Sequence, residues 1–306
     1  MASFTVKGVD GLTLHCNEWL PIGEAKAVVH IAHGMSEHGG RYQRFAGVLN
    51  NAGYAVIVND HRGHGLSLAP GQALGHMADN DPWGKALEDL HLVNYQIAAR
   101  LPHKKIILLG HSMGSFLAQD YMAQYGNSIT AVALSATNGP PGPLVKIGQL
   151  VAQLEKLRLG GKGHSPLILA MVFGAYNKTF KPNRTEFDWL SRDKVEVDKY
   201  IADPLCGFEC SVATWIGMLS ALGVIATDEA LTKMDKTMPI YVFAGTDDPV
   251  GEQTKGVKRL LSAYQKQNFS AVTHKFYPGG RHEMLSETNS DEVMADFLDW
   301  VNGVIR

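Results

Sequence analysis

An α/β fold with a mostly parallel sheet, helices on both faces and one helical insert is predicted for this chain by three observations. Short apolar, β-rich runs alternate with longer helix-period segments up to about residue 137, and again from about residue 237 to the end. Between these blocks, residues 138–236 show helical spacing and loops but no buried strand. Within the first block an apolar run from Ile106 to Leu109 passes directly into Gly110-His111-Ser112-Met113-Gly114 and then into residues with apolar groups at helical spacing. The chain therefore divides into a core of residues 1–137 and 237–306 and a helical cap at 138–236. At 306 residues it can bury a large core as one enlarged domain.

The elements follow in order. Residues 3–7 and 12–19 alternate around Val9-Asp10-Gly11 and read as an antiparallel hairpin at a sheet edge. Residues 27–32 form a buried strand that ends at His33-Gly34-Met35-Ser36-Glu37-His38-Gly39-Gly40, and a helix from about Tyr42 closes at Gly53. Tyr54 to Val58 is the next strand, running into the Gly-rich loop Asp60-His61-Arg62-Gly63-His64-Gly65-Leu66-Ser67. Asp81-Pro82 supplies an N-cap and a first-turn proline for a helix to about Arg100. Strands at 105–109 and 130–135 complete the first block. In the cap, Leu144, Ile147, Leu150 or Val151, Leu154 and Leu157 share one helical stripe that would face an acyl channel or a membrane surface. After it come a strand at 239–244, a helix at 254–267, a strand at 271–277 and an amphipathic final helix at 291–304.

Composition removes several classes. A formal net charge of -2 gives no electrostatic attraction to nucleic acid. Cys16, Cys206 and Cys210 suit neither a disulfide framework nor a zinc knuckle, so free thiols in a reducing, cytoplasmic setting are expected. The N-terminus lacks the basic flank and apolar core of an export signal, and the longest apolar run, Pro166 to Tyr176, is about half of the roughly 20 residues that span a bilayer. His61 and His64 beside Asp60 could suggest a metal site, but the glycines around them favour turn formation, and no metal or cofactor is expected.

A serine between glycines on a strand-to-helix turn must take a strained backbone conformation that lifts its hydroxyl above the sheet. That hydroxyl is a poor nucleophile until a base takes its proton, so Ser112 requires a histidine and an acid from other loops at the same sheet edge. His282 leaves the last strand through Pro278-Gly279-Gly280 and is the expected base, whereas His111 belongs to the packing of the turn. The strand at 239–244 ends in Gly245-Thr246-Asp247-Asp248, where Asp248 has the spacing of the acid and Asp247 points to solvent. Backbone N–H groups of Met35 and Met113, each next to a glycine-bearing turn, are the expected oxyanion donors.

These residues carry a family resemblance. The chain resembles the α/β-hydrolases, and within them the monoacylglycerol lipase and lysophospholipase-like serine hydrolases. The matching stretches are His33-Gly34-Met35-Ser36-Glu37-His38-Gly39-Gly40-Arg41-Tyr42, Asp60 to Ser67, Gly110 to Gly114, the acid and histidine turns, and, in the cap, Leu190-Ser191-Arg192-Asp193 and Val197 to Leu205. Ser115 replaces the second glycine usual after the serine turn, and residues 138–188 do not follow the animal lipases. The resemblance implies an α/β-hydrolase fold, Ser112 as nucleophile, Asp248 as acid, His282 as base and the oxyanion amides of Met35 and Met113. It implies monoacylglycerols, lysophospholipids or smaller carboxylic esters as substrates; the triad mechanism needs no cofactor, and the Leu144–Leu157 stripe points to peripheral membrane contact through the cap. The alternatives are a peptidase or carbon–carbon bond hydrolase with the same triad, or a ligand-binding homologue without catalysis.

Overall fold

The computed structural model describes residues 2–306, so Met1, the first residue of the predicted core, lies outside it. Eight strands form one sheet: β1 (Ala2–Lys7), β2 (Thr13–Trp19), β3 (Val28–Ala32), β4 (Ala55–Asn59), β5 (Ile106–His111), β6 (Ala131–Ser135), β7 (Ile240–Gly245) and β8 (Val272–Tyr277). Their spatial order is β1-β2-β4-β3-β5-β6-β7-β8. β1 and β2 pair antiparallel, as does β2 with β4, and every later pair is parallel. The hairpin expected at the N-terminus is this edge ribbon.

Residue alternation along the strands divides the core. Val28, Ala55, Ile57, Ile106 and Leu108 face one way with Ala86, Leu90, Phe116, Leu117, Val257 and Leu260. Those partners lie on α2 (Pro82–Arg100), α3 (Met113–Tyr125) and α9 (Lys255–Lys266). Val29, Ile31, Val56, Val58, Ile107 and Leu109 face the other way, against Phe45 and Leu49 of α1 (Gln43–Asn51) and Phe297 and Val301 of α10 (Ser290–Ile305). β3, β4, β5, β6 and β7 are thus buried on both faces and read as apolar runs, whereas β8 at the edge is largely exposed or half-buried and mixes polar with apolar residues. The capping expected for α2 is present: Asp81 accepts a hydrogen bond from Gly84 N and Pro82 occupies the first helical position.

Between β6 and β7 the chain forms α4 (Pro143–Leu159), α5 (Pro166–Val172), α6 (Lys194–Ala202), α7 (Val212–Leu222) and α8 (Asp228–Thr232), with no strand among the described residues. This insert touches loops at the carboxyl edge of the sheet: Gly207 N and the Tyr200 hydroxyl donate to Ser36 O after β3, and His282 N donates to Trp189 O after β8. On α4 the stripe is solvent-facing, with exposure running from 51% at Ile147 to 86% at Leu157. Leu150, not Val151, belongs to that exposed face, because Val151 packs against the buried core. Among the described residues no helix is long and apolar enough to cross a membrane.

Candidate active site

Because β3 to β8 are parallel, the loops after them emerge on one edge, where ligand sites form in open α/β sheets. The turn after β5 is strained. Ser112 has φ 51° and ψ -118°, a conformation that L-residues take only under constraint. Two glycines make that constraint possible. A Cβ on Gly114 would lie 2.6 Å from His33 O, and one on Gly110 would lie 2.6 Å from the carbonyl carbon of Gly114. Ser112 N donates to Ser135 O, and the Ser115 hydroxyl, at the position where glycine is usual, donates to Ser112 O at 2.6 Å. The turn is thereby held from both sides while Ser112 itself stays partly exposed.

Asp248 and His282 meet directly. His282 Nδ1 lies 2.9 Å from Asp248 Oδ1, which also accepts Val250 N at 2.9 Å, and both side chains are buried. Asp248 Oδ2 has no partner among the described residues. Asp247 is exposed: its backbone N–H donates to Gly280 O, and among the described residues its carboxylate accepts only from the Thr246 hydroxyl. The His282 ring lies 5.0 Å from that of His111, the residue preceding Ser112, which places the Asp248–His282 pair beside the serine turn. Burial pulls the His282 imidazole down in pKa, but the charge and hydrogen bond of Asp248, with Glu283 and Glu37, outweigh it and leave it raised. His111 is pushed to about 4 by burial and by His282, and its Nδ1 bonds the Ser135 hydroxyl, which suits the packing role expected of it.

The loop after β3 is braced rather than free. Gly34 N donates to Glu37 Oε1 at 2.5 Å, and the Tyr42 hydroxyl donates to the same oxygen. Arg41 bridges Glu37 Oε2 and both oxygens of Glu283, each at 2.7 Å. Burial would raise the Glu37 carboxyl, but Arg41 and the Gly34 N–H hold it below its usual value, so it stays ionised. From the other side, Asp60 accepts Gly39 N, and His61 N donates to His33 Nε2 while His61 Nε2 faces His33 O. His61 and His33 therefore brace each other's loops, as the turn reading of the Asp60–Ser67 stretch expects. Neither Met35 N nor Met113 N is bonded among the described residues, and a Cβ on Gly34 would lie 3.3 Å from that of Ser112.

Sequence reasoning missed Glu283 and Trp189, which only the tertiary structure brings to the site. Adjacency of Glu283 to the expected base was the sole signal. Among the described residues one group could offer metal ligands, His38, Asp203 and Cys206, with ligand atoms within 4.8 Å. His38 Nδ1 accepts Gly40 N, so Nε2 keeps the proton and donates it to Asp203 at 2.9 Å. Burial also pushes the Cys206 thiol far up. The trio is a tie between the β3 loop and the insert.

Residues 23–289 match the family model described as serine aminopeptidase, S33. The monoacylglycerol lipase of Mycolicibacterium smegmatis is 30% identical over 96% of this chain and 94% of its own length. The monoglyceride lipase of Mus musculus is also 30% identical, over 96% of this chain and 88% of its own. Among solved structures, a highly thermostable carboxyl esterase from Bacillus coagulans in complex with glycerol superposes with TM-score 0.92 at 26% identity, covering 100% of this chain and 99% of that one.

Proposed function

Since the chain belongs to the α/β-hydrolase family described as serine aminopeptidase, S33, and is similar to monoacylglycerol lipases over nearly its whole length, we propose that it is a serine hydrolase of carboxylic esters that works through an acyl-enzyme on Ser112. The observation that carries this reading is the buried 2.9 Å bond between Asp248 and His282 beside the strained serine turn. Asp248 holds Nδ1–H, which leaves Nε2 free to take the Ser112 proton as the hydroxyl attacks the ester carbonyl. The amides of Met35 and Met113 receive the oxyanion, and Glu37 keeps the first of these loops in place through Gly34 N. His282 then protonates the leaving alcohol and activates the water that frees the acid.

Monoacylglycerols, lysophospholipids or related acyl esters are the proposed substrates. A cavity of about 590 Å³ beside His111 is lined by Glu37, Arg41, Tyr42 and Glu283, polar groups suited to a hydroxylated alcohol portion. The glycerol in the Bacillus coagulans esterase complex is consistent with such a group. The family description favours a peptidase as the second reading. An amino terminus would need a free carboxylate, and Glu37 and Glu283 are both engaged by Arg41. Residues 138–236 are proposed to act as a cap, and the exposed α4 stripe, with Lys146, Lys156 and Arg158 on the same helix, to meet a membrane surface. The three free thiols support a cytoplasmic setting.

A fluorophosphonate probe combined with a panel of monoacylglycerols, lysophospholipids, short p-nitrophenyl esters and aminoacyl amides tests the reading. Labelling at Ser112, its loss in Ser112→Ala, and turnover of esters over amides are expected. Folded protein that resists the probe, or that cleaves only the amides, refutes it.

A further inference from the structure

The histidine proposed as base is also contacted by the insert. The His282 ring lies 5.0 Å from the His111 ring and 4.9 Å from the indole of Trp189, to which it is tilted by 42°. Trp189 is buried and backed by Tyr176 at 5.1 Å and Phe173 at 5.9 Å, and its backbone N–H is fixed by Asn177 Oδ1.

The surrounding backbone is laced to the histidine loop. His282 N donates to Trp189 O and Glu283 N to Leu190 O. Arg281 reaches Asp188 O and Ser191 O, the Ser191 hydroxyl donates to Ser286 O, and the buried Glu287 carboxylate accepts Arg192 N, Arg192 Nε and Arg281 N. Such lacing exceeds what a cover needs, since it places one aromatic ring in a fixed relation to one imidazole.

We propose that Trp189 is a positioning residue for His282: its indole holds the imidazole in line with Ser112 and stabilises the imidazolium formed when the serine gives up its proton. An aromatic face attracts a cation within about 6 Å of its centroid, and more strongly where water is excluded. The preference for the imidazolium is greatest in the transition state, where the positive charge develops, so it lowers the barrier instead of only tightening substrate binding. The insert thereby contributes to the chemical step as well as covering it. Other groups facing the imidazole are Asp248 from the β7 loop, Glu283 from its own loop, Glu37 from the β3 loop and His111 from the serine turn. Arg41, bonded to both glutamates, and the neutral, half-buried Tyr176 near Asp248 are the others.

This inference rests on the proposed serine hydrolase reading, and the experiment separates the two. Full-length protein with Trp189→Phe, Trp189→Leu, or a series of increasingly fluorinated tryptophans at position 189 is assayed on a short p-nitrophenyl ester across pH. Fluorination keeps the ring's shape while withdrawing the electron density that attracts a cation, so folding is retained even where the leucine variant fails. The acid-limb midpoint of kcat/KM should fall stepwise with fluorination. In Trp189→Leu kcat should fall about 5- to 30-fold, the equivalent of about 1–2 kcal/mol, with KM little changed, and Trp189→Phe should restore most of it. Midpoints that stay fixed along the fluorinated series, in protein whose Ser112 still reacts with a fluorophosphonate, overturn the role of Trp189. Wild-type protein that does not react at Ser112 overturns the hydrolase reading instead.

Discussion

Replacing Asp248 by asparagine isolates one physical term in this site. Oδ1 alone accepts both His282 Nδ1–H and Val250 N, while Oδ2 has no partner among the described residues. An asparagine can therefore present its carbonyl oxygen to both donors and place its amide where Oδ2 was, keeping the shape and losing the charge. For unit charges 2.9 Å apart in an effective dielectric of about 20, the interaction with an imidazolium is about 5–6 kcal/mol, or roughly four powers of ten in rate at about 1.4 kcal/mol each. If the amide turned to face Nδ1 instead, the ring would carry its proton on Nε2 and could not act as base, which gives a loss of similar size. Steady-state kcat/KM on a short ester, alongside Asp247→Asn, reads this out. Asp247 is exposed, so its substitution should change turnover less than about twofold. A severe Asp247→Asn and a mild Asp248→Asn would refute the assignment of the acid.

The pH profile follows from the same geometry. His282 must be neutral to accept the Ser112 proton, and its raised pKa delays loss of its own proton to higher pH. The acid limb of kcat/KM should therefore have its midpoint above about 6.5 in the native protein and below it in Asp248→Asn. Gly114→Ala should destabilise by about 3 kcal/mol in denaturant unfolding, since its methyl meets backbone atoms of Ala32 and His33 that cannot swing aside. A stable, active variant would contradict that account of the turn. Changing Ile147 and Leu150 together to serine should weaken partition onto phospholipid vesicles about tenfold or more and leave short-ester turnover intact. Unchanged vesicle binding would remove α4 from the membrane proposal.

The strands and their order of alternation with helices were legible because each buried strand had to be apolar on both faces, and because Asp81-Pro82 and Gly53 mark helix ends chemically. The serine turn was legible for a different reason. Gly110 and Gly114 sit where backbone approaches backbone, so only glycine fits, and that requirement shows in a linear pattern. The pairing of Asp248 with His282 was anticipated from loop position, since both follow strands of one parallel sheet, and from the Gly245-x-x-Asp248 spacing that set Asp248 apart from Asp247.

By itself, then, the amino-acid sequence determined the alternating α/β core, the strained Ser112, and the placing of Asp248 and His282, the proposed acid and base, on loops at its edge, because each depends on local spacing or on a steric need of one residue. Tertiary structure alone decided that Glu37, Arg41 and Glu283 form one buried network, that Leu150 rather than Val151 faces solvent, and that Trp189 lies against His282. Those relations join segments far apart along the chain, Arg41 to Glu283 and Trp189 to His282. No spacing in the sequence encodes the approach of two charges or two rings that only tertiary packing brings within 5 Å.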